Sequence, residues 1–166
     1  MISEILQDAL FAAIAAIGFA AISRPPHRAY LYCAIIAAAG HSLRFWLMNA
    51  TYGYGMHIVV ATLIATFAIG LLAVFLSPVA HMPAETSLFP SLLPMIPGIY
   101  AYKTFGGIVM CLLCDSPQAF DHYFYLFSYN GITCTAILLC MVIGATIPIF
   151  LFEKIAFQAT RHHNNT

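Results

Sequence analysis

Residues Met56–Ser77 read MHIVVATLIATFAIGLLAVFLS, an apolar run that contains no Asp, Glu, Lys or Arg. About 20 such residues, wound as a helix, cross the ~30 Å hydrocarbon core of a bilayer. In lipid every backbone N–H and C=O needs a partner inside the chain, and a helix supplies those partners within one segment. The other segments follow the same rule. The chain is 62% hydrophobic and 7% charged, against about 25% charged in a soluble domain. So few charges cannot cover a water-facing surface. Net charge is zero and the six Lys and Arg are scattered, which argues against nucleic-acid binding. The composition predicts an all-α integral membrane protein, one transmembrane domain over residues 1–166.

Five spans are expected: residues 4–22, 29–48, 56–77, 88–114 and 123–152. The apolar N-terminus carries Glu4 and Asp8 where a signal peptide is positive, so it reads as a span and not as a cleaved leader. Arg24-Pro25-Pro26-His27-Arg28 separates the first two spans. Pro78 and Pro83 bound a polar linker holding Glu85, and a loop with Asp115, Pro117 and Asp121 precedes the last span. Arg24 and Arg28 fall on the same side as Lys154 and Arg161 after five crossings, which puts the N-terminus outside and the C-terminus in the cytoplasm. Small residues recur every four positions at Ala12, Ala16, Ala20; at Ala34, Ala38, Ser42; and at Thr62, Thr66, Gly70. Such stripes let helices approach closely in lipid.

Two stretches carry candidate chemistry. The second span contains Gly40-His41-Ser42-Leu43-Arg44. An arginine inside a span costs from ~3 to more than 10 kcal/mol unless it snorkels or finds partners. His41 and Arg44, three apart, share a helix face. His41 can titrate near neutral pH and relay protons; a hydrogen bond to a neighbouring helix is the plainer alternative. The fourth region, Leu88–Cys114, has 27 residues and as one straight helix would reach ~40 Å, too long for the bilayer. Pro94-Met95-Ile96-Pro97-Gly98 breaks it. A break at membrane depth must line protein or water, and the half-helix starting after Gly98 would offer N–H donors to an anion. Lys103 adds a positive charge, and Tyr100 and Tyr102 add hydroxyls. A simple proline kink is the alternative.

Other patterns carry little. Cys33, Cys111, Cys114, Cys134 and Cys140 lie in or beside apolar runs and behave there as small hydrophobes; an odd number argues against a full disulfide framework. His162-His163-Asn164-Asn165 is a polar tail. No Ser/His/Asp set, HExxH or Gly-rich phosphate loop is present, so no enzyme activity, metal or cofactor is expected.

PMIPG followed by IYAY, with GHSLR and the RPPHRA turn before it, resembles the threonine/serine exporter family, and within it the small subunit of the split, two-protein form. Gly40, His41 and Arg44 match the family's GH-x-x-R pattern; Pro94, Pro97, Gly98 and Tyr102 match its proline–glycine segment. Lys103 falls outside that motif. The resemblance implies a secondary exporter of threonine and serine, or of C4-dicarboxylates such as succinate, in a bacterial inner membrane. It implies a larger membrane subunit as the complementary half. Proton-driven alternating access is the expected mechanism. A non-transporting scaffold and a homo-oligomeric channel are the alternatives.

Overall fold

A computed structural model describes residues 2–51 and 53–156, and the regular elements among them are all helical. They are α1 (Ile2–Ser23), α2 (His27–Met48), α3 (Ile58–Ala80), α4 (Ala84–Leu92), a 3-10 turn (Leu93–Met95), α5 (Gly98–Leu113), α6 (Pro117–Leu151) and a short α7 (Glu153–Ala156). By length and composition α1, α2, α3 and α6 can each cross a membrane; Ala84–Met95 with Gly98–Leu113 makes a fifth crossing if taken as one broken span. Arg161 and the His162–Asn165 tail lie outside the described residues.

Three boundaries differ from expectation. α6 begins at Pro117, so Asp121 is helical and not in a loop. Proline suits a first helical position because its fixed φ is preset and its missing N–H is not needed there. Ser116 supports that start by accepting the Ala119 N–H on Oγ at 3.3 Å. Pro78 lies inside α3. Glu85 sits in the first turn of α4, where a carboxylate suits the helix dipole.

The described residues fall into two compact units, one of the chain up to Met95 together with the part from Cys140 onward, the other of Ile96–Leu139. In the first unit, α1 and α2 are antiparallel, with Ala16 and Ala20 packed on Cys33 and Ala37. α2 and α3 are also antiparallel: Ala29 meets Ala80 and Met82, while Gly40 faces Ile69. α3 and the end of α6 run parallel, since Gly144 lies against Thr66 and Leu63, and Gly70 lies against Ala145 and Pro148. The α1 and α3 stripes named from sequence are buried as expected. On α2 the buried small residues are Ala29, Cys33, Ala37 and Gly40, while Ala34, Ala38 and Ser42 are only half-buried.

Prolines within these helices leave carbonyls without their usual donor. Pro90 deprives Thr86, and the Cys33 thiol lies 3.8 Å from the Thr86 carbonyl oxygen. Ser91 Oγ stands beside the Ser87 oxygen at 2.7 Å and the Cys33 oxygen at 3.0 Å. These contacts bind α4 to α2 along one line. In the second unit α5 packs on α6 through Gly107, where an added Cβ would lie 2.8 Å from the Phe127 nitrogen, and through Thr104 beside Gly131.

Candidate functional site: a polar cluster at the helix break

In an unbroken helix the carbonyls of residues 93 and 94 would accept from the N–H groups of 97 and 98. Pro97 has no N–H, and the Gly98 N–H turns instead to the Ile96 oxygen at 2.8 Å. Carbonyls at the end of the α4 half are thereby left open. Side chains of α2 reach two of them. His41 Nε2 lies 3.2 Å from the Pro94 oxygen, and Arg44 Nη1 donates to the Met95 oxygen at 3.2 Å. Residues of the two motifs singled out from sequence, His41 and Arg44 with Pro94 and Met95, thus meet in one arrangement. Arg44 serves the carbonyl end of the first half-helix, where a cation also suits the dipole.

The guanidinium uses both arms of its fork. Nη2 lies 3.2 Å from His41 Nε2 while Nη1 holds Met95. A third helix completes the set: His41 Nδ1 lies 2.8 Å from Asp8 Oδ2, with the two side chains 14% and 26% exposed. Asp8 and Arg44 balance one another in formal charge with His41 between them. That balance offsets much of the cost of bringing either charge into a span. Gly40 provides the space beside it, because a Cβ there would run into the Ile69 side chain and come within 3.4 Å of Met95 Cε.

In the sequence alone Asp8 argues only against a leader peptide. Its role was readable from the hairpin: Asp8 lies 17 residues before Pro25 and His41 lies 16 after it. Antiparallel helices therefore bring the two level, ~10 Å in from the α2 end at 1.5 Å per residue.

The structure brings together Arg44, His41 and Pro94. Pro97, Gly98, Tyr100, Tyr102 and Lys103 belong to the second unit. There Pro97 caps α5 without a side-chain acceptor, Tyr100 is half-buried, and Lys103 and Tyr102 are exposed, Tyr102 at 79%. A cleft of about 580 Å³ in the first unit, lined by Leu88, Phe89, Met141, Ile149 and Phe150, shares no residue with the polar cluster. Among the described residues no group of three or more His, Cys, Asp or Glu is placed to hold a metal ion.

Comparison with known proteins gives three results. Residues 8–151 match the model of a family described as Threonine/Serine exporter, ThrE. An uncharacterized protein of Haemophilus influenzae (strain ATCC 51907 / DSM 11121 / KW20 / Rd) is 40% identical over 153 residues, which are 91% of this chain and 48% of that protein. The chain therefore spans about half the length of the curated relative it matches. No solved structure matches the chain.

Proposed function

We propose, from the premise that the chain belongs to the threonine/serine exporter family, that it is one membrane subunit of a two-component secondary exporter. Its substrates are small carboxylate-bearing metabolites, threonine and serine or a C4-dicarboxylate such as succinate, and transport is coupled to protons. One observation carries this reading: Asp8, His41 and Arg44 meet at a helix break inside the spans. Ionisable groups held at membrane depth are costly and mark transport pathways, and broken helices at that depth build substrate sites in transporters.

The second component is a larger membrane protein supplying the complementary half. The relative of about twice this chain's length supports that view, since it has room for both halves in one polypeptide. The parallel course of α1, α3 and the end of α6 supports the proposed orientation in a bacterial inner membrane. It brings Arg24, Arg28 and Lys154 to the same end of the first unit, which is then the cytoplasmic one. Arg44, the break residues Pro94, Pro97 and Gly98, and the α5 residues Tyr100, Tyr102 and Lys103 are each assigned to the pathway.

The test is efflux of radiolabelled threonine, serine and succinate from proteoliposomes holding this chain with and without the second protein. Transport should need both. Proton-independent conduction by this chain alone would replace the reading with a homo-oligomeric channel. Two substitutions probe the parts. Lys103→Met should lower efflux about tenfold, as expected for one charge-assisted contact of ~1.4 kcal/mol; normal efflux removes Lys103 from the pathway. His41→Gln should flatten the dependence of efflux on pH, as expected if its imidazole carries the proton. An unchanged profile ends its role as proton carrier.

A further inference from the structure

His41 has more neighbours than one protonation state can serve. Nδ1 faces the Asp8 carboxylate at 2.8 Å. Nε2 faces two groups of opposite character at the same 3.2 Å: the Pro94 carbonyl, which only accepts, and Arg44 Nη2, which only donates. A neutral imidazole has one N–H and one lone pair. With the carboxylate drawing the proton to Nδ1, Nε2 carries the lone pair, bonds Arg44 and confronts the Pro94 oxygen. Once Nε2 takes a proton it bonds Pro94 and confronts the guanidinium.

We propose that Asp8 is a positioning residue that fixes the tautomer of His41, so that protonation of Nε2 hands His41 from Arg44 to the Pro94 carbonyl at the helix break. The step is a simple proton uptake. One proton from water joins the Nε2 lone pair, the Arg44 Nη2 hydrogen bond is lost, and the Nε2–H bond to Pro94 forms. The exchange involves only Nη2, which leaves Arg44 Nη1 to its Met95 contact. Together the three side chains pass from neutral to singly positive, and one guanidinium arm becomes free for a carboxylate. That last consequence rests on the transport reading; the exchange of partners does not.

The surroundings leave His41 to these partners. α1 offers Asp8, with Glu4 exposed one turn nearer its start. α3 has no titratable residue along its length, and the 3-10 turn has none. α4 contributes only Glu85, in its first turn at the opposite end from the break. α2 itself contributes Arg44.

The experiment is nitrogen NMR of the full chain in lipid bilayers, labelled with 15N-histidine and 15N-arginine and followed across pH. His41→Gln identifies the His41 signals. In the neutral form Nδ1 should carry the proton and Nε2 should be bare. When Nε2 takes its proton, an Arg44 Nη signal, identified with Arg44→Lys, should shift over the same pH interval. Asp8→Ala should move the neutral form predominantly to the Nε2–H tautomer, because Pro94 is then the remaining acceptor. Asp8→Asn, whose amide oxygen still accepts, should restore Nδ1–H. A neutral wild-type His41 already protonated at Nε2, or an Arg44 signal indifferent to His41, overturns the proposal even if the Asp8 variants do not fold. If the exchange is seen but efflux ignores Asp8→Ala, the exchange stands and the transport reading fails.

Discussion

Arg44→Met is expected to abolish efflux and to loosen the first unit, and Arg44→Lys is expected to rescue neither fully. Methionine keeps an unbranched side chain of comparable reach but removes every donor. The Met95 oxygen then loses its side-chain partner, at a cost of about 1–3 kcal/mol, and the Asp8 carboxylate loses the charge that balances it. Lysine restores the charge as a compact ammonium, yet it lacks the planar fork that spans His41 Nε2 and the Met95 oxygen together. Thermal unfolding in lipid nanodiscs and efflux from proteoliposomes measure the two effects. The pairing with Asp8 adds a sharper check. Asp8→Asn combined with Arg44→Met should destabilise by less than the sum of the single changes, because each single change leaves an unbalanced charge in the span. Strict additivity would mean that the cluster contributes no mutual stabilisation.

The second large effect concerns packing. Gly144→Leu should separate α3 from α6 and abolish a stable fold. A Cβ at 144 would collide with Thr66 Oγ1 and sit 2.8 Å from the Leu63 carbonyl oxygen. Thr66 is completely buried and also points its hydroxyl at Thr62, Leu63 and Cys140, so it has no free space to retreat into. Even Gly144→Ala is expected to cost about 1–3 kcal/mol, the usual range for overpacking a filled core. Gly18→Ala is the control: a Cβ there meets nothing within 4 Å, and losing a helix-interior glycine should stabilise by about 0.5–1 kcal/mol. Monodispersity on size exclusion and unfolding midpoints separate the two outcomes. Equal effects at both positions would show that the α3–α6 approach is not the constraint.

Much of the fold is written in the sequence at the level of spans. The Met56–Ser77 run becomes α3, and the Pro94–Gly98 break falls where length arithmetic requires it. Registers are less legible. On α2 the sequence offers two adjacent small stripes, Ala34-Ala38-Ser42 and Cys33-Ala37-Gly40; in lipid both faces are apolar, so polarity does not choose between them. Packing of α1 and α4 does, through Ala16, Ala20 and Ser91. The site was half legible for a related reason. His41 and Arg44 declare themselves as polar groups in a span, but a break in the sequence points first to the N–H groups it frees. A proline break frees carbonyls as well, and those are what α2 reaches. Asp8 lay in the first span all along, and only the antiparallel pairing of α1 with α2 gives it a meaning.

The cluster also sets a schedule for synthesis. Asp8, His41 and Arg44 all belong to the first hairpin, so two opposite charges can enter the membrane as one balanced pair of helices. The carbonyls that complete the arrangement come later: Pro94 follows His41 by 53 residues and Met95 follows Arg44 by 51. At about 5–20 residues per second of translation, the guanidinium waits roughly 3–10 s for its Met95 acceptor. During that interval the hairpin is neutral overall yet still polar at one edge. Arrival of the broken fourth segment closes that edge, which gives the nascent chain a chemical reason to recruit its prolines next to α2.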